Sequence, residues 1–141
     1  MREHVKRIRI FLADDNPAIL DKLVDILEGV YEIEGTASDG QTALIAVERQ
    51  CPDVLLMDIS MPIVDGIDAA SNLIRMHTKT KIIFLTVHDD PDFVKAALAT
   101  GAAGYIVKSR MATDLFPAIR EALAGHRFIS PCIRARDSMV N

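Results

Sequence analysis

Tryptophan is absent and tyrosine occurs only twice, so the core has to come from aliphatic side chains and five phenylalanines. The two cysteines, Cys51 and Cys132, lie far apart and form no CxxC pair. That argues against a disulfide framework and for a reducing compartment. No apolar run reaches the roughly 18 residues that a membrane span requires. An excess of positive charge is missing too. The formal net charge of -4 argues against nucleic-acid or membrane binding by the chain as a whole, although a local basic patch stays open. The first seven residues are charged and run straight into a short strand, which is no signal peptide. What is present is apolar material amounting to half of 141 residues, enough for one real core. A soluble, cytoplasmic domain is expected.

Taken in order, the chain alternates between two periodicities. Ile8 to Ala13 is a β-branched and apolar run ending in Asp14-Asp15-Asn16-Pro17, where Asn16 suits a helix N-cap and Pro17 the first helical position. Ile19, Leu23, Ile26, Leu27 and Val30 then recur at helical spacing, and Gly29 marks a stop. Tyr31 to Ala37 reads as a weaker, edge-like strand because Glu32 and Glu34 flank Ile33. Ser38-Asp39-Gly40 opens a second helix, which ends before Pro52. Asp53 to Asp58 is a third strand, and Ile67, Ala70, Leu73 and Ile74 mark a third helix. Lys81 to Thr86 is a fourth strand, and Asp89-Asp90-Pro91 starts a helix that Gly101 ends. Gly104 to Lys108 is a fifth strand, followed by a helix carrying Leu115, Phe116, Ile119 and Leu123 and stopping at Gly125. Pro117 has to lie near the first turns of that helix or kink it.

Five strand–helix alternations with apolar strands predict an α/β fold, a parallel sheet covered by helices on both faces. A flavodoxin-like (βα)5 domain with strand order 2-1-3-4-5 is expected over residues 1–125. Residues 126–141 lose the periodicity and read as a linker or tail.

That architecture brings the carboxyl ends of strands one, three, four and five to one rim. They carry Asp14 and Asp15, Asp58, Thr86 and Lys108. Each has a plainer reading when taken alone: Asp15 or Asn16 as a helix cap, Asp58 solvated, Thr86 a strand former, Lys108 on the surface. All of them falling at the matching strand ends is much harder to ascribe to accident. Three packed carboxylates repel and need a cation. An all-oxygen set with few protein ligands suits Mg²⁺, which shares phosphoryl oxygens. A carboxylate beside Mg²⁺ can attack a phosphoryl group, with Lys108 pairing one oxygen and the Thr86 hydroxyl donating to another. Asp58, on the central strand, is the best nucleophile candidate.

These residues resemble the receiver domain of two-component response regulators over roughly residues 5 to 125. The match includes Ala13-Asp14-Asp15-Asn16, Leu56-Met57-Asp58-Ile59-Ser60-Met61-Pro62 with Asp65-Gly66, Leu85-Thr86, and Gly101-Ala102-Ala103-Gly104-Tyr105 followed by Lys108. The resemblance implies that Asp58 accepts a phosphoryl group from a sensor histidine kinase and that the domain is no enzyme beyond its self-catalysed phosphotransfer and dephosphorylation. It implies Mg²⁺ held by Asp14, Asp15, Asp58 and the backbone carbonyl of Ser60. Thr86 and Lys108 would sense the phosphate, and Tyr105 would turn inward on activation, reshaping the surface of helix 4, strand 5 and helix 5.

The segments Ala124-Gly125-His126-Arg127-Phe128-Ile129-Ser130 and Leu85-Thr86-Val87-His88-Asp89-Asp90 are similar to the NarL/LuxR-type subfamily. That implies transcriptional output through a helix-turn-helix DNA-binding domain lying outside this sequence, with a single-domain regulator as the alternative; it implies no membrane partner and leaves homodimerisation on phosphorylation open. Ser109 stands where many receivers have proline after the switch lysine, so a trans peptide is expected there. Two other classes compete, and a third is weaker still. A Mg²⁺-dependent aspartate-nucleophile phosphatase needs a second Asp two residues on, where Ser60 stands. A phosphorylation-independent interaction module would leave the full pocket without a purpose. A flavin-binding flavodoxin would need a phosphate-cradling loop after the first strand, where acids stand instead. His77 and His88 have no partners at metal-ligand spacing and read as surface residues.

Overall fold

The apolar strands are buried on both faces, and that burial dictates the order of the layers. The computed structural model describes residues 7–59, 66–75, 79–87 and 91–131. In chain order these form β1 (Arg9–Ala13), α1 (Pro17–Leu27), β2 (Glu32–Ala37), α2 (Gly40–Gln50), β3 (Val54–Asp58), α3 (Gly66–Arg75), β4 (Lys81–Thr86), α4 (Pro91–Leu98), β5 (Gly104–Val107), a 3-10 turn (Lys108–Arg110), α5 (Met111–Leu123) and β6 (Phe128–Ile129). All neighbouring strands pair in parallel, in the order β2-β1-β3-β4-β5-β6. The flavodoxin-like arrangement expected from the sequence is therefore present, with β3 at its centre and the partly exposed β2 at one edge.

The five-stranded expectation needs one correction. Residues 128–130, assigned by the sequence to a tail, extend the sheet past β5: Phe128 N–H donates to the Ala103 carbonyl and Ser130 N–H to that of Tyr105, each at 3.0 Å. A strand of two residues is too short to show alternation, so nothing in its own sequence announces it.

Pleating sorts each strand's side chains between two cores. Leu55 and Met57 join Phe11, Phe84 and Tyr105 under α2, α3 and α4, with Val47, Leu73 and Ala97. Val54 and Leu56 join Ile10, Leu12, Ile83, Leu85 and Ile106 under α1 and α5, with Leu23, Leu27, Leu115 and Ile119. Burial of each Leu or Ile is worth about 1.5–3 kcal/mol, and losing any one of them leaves a cavity as well.

The helix ends follow their caps. The Asn16 side chain accepts from Ala18 N at 2.9 Å, and Asp39 Oδ1 accepts from Thr42 N at 2.7 Å. Cys51 closes α2 in the left-handed region at φ 48°, and the Arg9 guanidinium donates to the Gln50 and Cys51 carbonyls at 2.9 and 2.6 Å. Pro117 falls in the second turn of α5, which runs on through it. The carbonyl it leaves without a helical N–H, that of Thr113, belongs to an exposed residue that water can serve.

Candidate functional site

Asp14 immediately follows β1 and Asp58 is the last residue of β3, so the β1–β3 pairing places both at one rim. Asp14 is fully buried, Asp58 nearly so, and Asp15 is exposed. One carboxylate oxygen from each lies within 4.8 Å of the others, the one group of three acidic, His or Cys ligands among the described residues. Asn16 N donates to Asp14 Oδ1 at 2.9 Å, which fixes the carboxylate from behind and leaves Oδ2 for the pocket. This buried Oδ2 accepts no hydrogen bond, although Lys108 Nζ stands 2.8 Å away. The ammonium is thus the partner this buried oxygen has in the structure, held at ion-pair distance.

Lys108 opens the 3-10 turn directly after β5 and also reaches Asp58 Oδ2 at 3.4 Å. Its pKa is raised. Burial works against the charge, but the carboxylates of Asp14 and Asp58 outweigh it. The Lys108–Ser109 peptide is trans.

Thr86 ends β4 and is buried, opposite Val107 in the β4–β5 register. It continues the pleat of Ile82 and Phe84, which places it on the face of Tyr105, one diagonal step away. Tyr105 is fully buried. The sheet therefore brings Asp14, Asp15, Asp58 and Lys108 together at one rim and sets Thr86 and Tyr105 side by side on the face covered by α4. Ser60, Met61, Pro62 and Asp65 lie outside the described residues, as do His77, His88 and Cys132. The sequence reading passes over one polar group near this rim. Asp114 and Ser130 are buried and hydrogen-bonded to each other at 2.8 Å, 16 positions apart in the chain. The only signal in sequence is a polar residue at the inward position of a helix.

A parallel α/β sheet with an acidic pocket beyond the ends of its central strands is the class this geometry defines. The model of the response regulator receiver domain matches residues 10–120, and the chain belongs to that family. The transcriptional regulatory protein DegU of Brevibacillus brevis is 36% identical over 135 residues, which cover 93% of this chain and 57% of DegU. The chain thus spans little more than half the length of that relative. Among solved structures, the signal receiver domain of the response regulator NarL from Mycobacterium tuberculosis superposes with a TM-score of 0.82 at 31% identity, covering 86% of this chain and 100% of that one. A LuxR-family two-component response regulator from Aurantimonas superposes with a TM-score of 0.89 at 29% identity, covering 96% and 100%. No helix among the described residues is long and apolar enough to cross a membrane.

Proposed function

We propose that Asp58 is a phosphoryl acceptor served by a sensor histidine kinase, and that the loaded pocket switches the surface formed by α4, β5 and α5. The observation that carries this reading is the Asp58 carboxylate at the end of the central strand, with oxygens of two further acids within 4.8 Å and the Lys108 ammonium, 3.4 Å away, shared with Asp14. Asp14, Asp15 and Asp58 fit Mg²⁺: all donors are carboxylate oxygens, and one from each lies within 4.8 Å of the others. Bound there, Mg²⁺ offsets the charge of the transferring group. The Ser60 carbonyl belongs to the same proposed ligand set.

An Asp58 oxygen attacks phosphorus, an acyl phosphate bond forms, and the phosphorus–nitrogen bond of the donor phosphohistidine breaks, leaving an imidazole that takes up a proton. Lys108 neutralises one phosphoryl oxygen and the Thr86 hydroxyl donates to another. Thr86, drawn toward the phosphate, leaves room that Tyr105 fills on their shared face of the sheet. The relatives are named as transcriptional regulatory proteins, and the output on this reading is transcription in the cytoplasm, through a helix-turn-helix domain outside this segment. Homodimerisation on phosphorylation belongs to the same reading.

Asp58→Asn is expected to abolish hydroxylamine-sensitive labelling by acetyl phosphate in Mg²⁺, while the fold and melting temperature hold. Labelling equal to wild type would move the acceptor to another residue. The phosphatase alternative lacks its second acid, Ser60 standing in that place, and predicts multiple turnover on phosphomonoesters, which this reading excludes.

A further inference from the structure

We propose that Ser130 and Asp114 are positioning residues for Lys108, linking the chain segment that leaves the domain to the phosphoryl pocket; this rests on the phosphoacceptor reading above. On its outer side β5 is covered by only two residues of β6, and the ladder there would stop at the Tyr105 carbonyl, which accepts from Ser130 N at 3.0 Å. The next outward N–H, that of Val107, has no strand carbonyl to meet. It donates instead to the Ser130 hydroxyl at 3.1 Å. An N–H can only donate, so the hydroxyl spends its single proton on Asp114 Oδ2, at 2.8 Å.

Asp114 Oδ2 receives a second donor, Arg110 Nε at 3.3 Å. Val107 and Arg110 flank Lys108 in the chain, and their contacts converge on one buried oxygen: the Val107 backbone N–H through the Ser130 hydroxyl, the Arg110 side chain directly through Nε. Ser130 and Asp114 are almost wholly excluded from solvent, whereas Arg110 is open to it. Held at both ends, the turn aims the ammonium between Asp14 and Asp58. Without the hydroxyl, the Val107 N–H and the Asp114 carboxylate lose their shared partner in a dry place, and the turn is free to pull Lys108 back. The same bridge works in the other direction: a phosphoryl group that draws Lys108 forward pulls on Ser130, the point where the chain leaves the sheet.

The test is a double-mutant cycle read with beryllofluoride, a phosphoryl mimic, in saturating Mg²⁺. Ser130→Ala is expected to weaken beryllofluoride binding about fivefold and to add nothing in a Lys108→Met background. Its affinity for Mg²⁺ alone, which depends on Asp14, Asp15 and Asp58, should change less than about twofold. Equal losses in both backgrounds, or a parallel fall in Mg²⁺ affinity, would reduce the pair to a fold-stabilising role and overturn the proposal. If Ser130→Ala does not fold, Ser130→Cys keeps the volume with a weak donor and Asp114→Asn keeps an acceptor; both are read in the same cycle. Should wild type bind no beryllofluoride, the phosphoacceptor reading fails, and the positioning is decided separately. The Lys108 ammonium nitrogen resonance at fixed pH then shifts in Ser130→Ala if the proposal holds and stays put if it does not.

Discussion

Lys108 is one cation set against two carboxylates, 2.8 Å from Asp14 and 3.4 Å from Asp58, and its own side chain is largely covered. Replacing it by methionine leaves the acids facing each other without the lysine's counter-charge. Breaking a fully buried pair costs about 3–5 kcal/mol; here Asp15 and the open side of the pocket let water in, so about 2 kcal/mol is expected. On the proposed reading, Mg²⁺ would enter the same electrostatic niche as the lysine. Lys108→Met should therefore melt earlier than wild type in chelator and recover most of the difference in millimolar Mg²⁺, with tighter Mg²⁺ binding by calorimetry. Equal destabilisation with and without Mg²⁺ would show that the ion and the lysine do not compete for the same oxygens.

Among the elements, β5 is flanked by β4 and β6 and leads directly into the turn that carries the site lysine. Gly104 shows how tight it is: a Cβ there would lie 3.2 Å from Ile83 Cγ2 and 3.3 Å from the Phe128 carbonyl oxygen. Gly104→Ala is expected to cost about 1–3 kcal/mol, by chemical denaturation, because the side that yields is the two-residue β6. β1, β3 and β4 were readable from sequence because a strand buried on both faces is an unbroken apolar run ended by polar or turn residues. The acids and the threonine at their ends came with them. Lys108 was read as the last strand residue and begins a turn, a shift that local propensity does not resolve. β6 and the Asp114–Ser130 pair were not legible, for a common reason. Their partners are supplied by the fold, from residues far away in the chain, and a two-residue strand or a single buried polar side chain has no period of its own.

At the scale of the whole molecule, the two faces of the sheet are closed by different helices, and α5 meets the β2 edge through Tyr31 and Phe116, whose rings stack with centroids 6.0 Å apart. Burial raises the Tyr31 pKa above its ordinary 10.0, opposed by the nearby Arg120. The folded state thus holds the phenolic proton more tightly than the unfolded chain. The stability this gives is complete below pH 10 and is lost as pH rises through the folded value. Tyr31→Phe should leave stability at pH 7 nearly unchanged and flatten its fall above pH 10; an unaltered alkaline slope would assign that fall to other groups.

The two-core sheet also constrains how the chain can change. Asp58 continues the pleat of Val54 and Leu56, whereas Thr86 continues that of Ile82 and Phe84, so the central carboxylate turns toward one face of the sheet and the threonine toward the other, the face of Tyr105. Because successive residues alternate faces, deleting one residue inside β3 would send Asp58 to the opposite side and turn every apolar neighbour inside out. Length within the strands is therefore fixed to the residue, and insertions or deletions in relatives should fall only in the loops. Diversity among such proteins must accumulate by substitution on the helices and by growth at the connections, the places where one partner can be told from another.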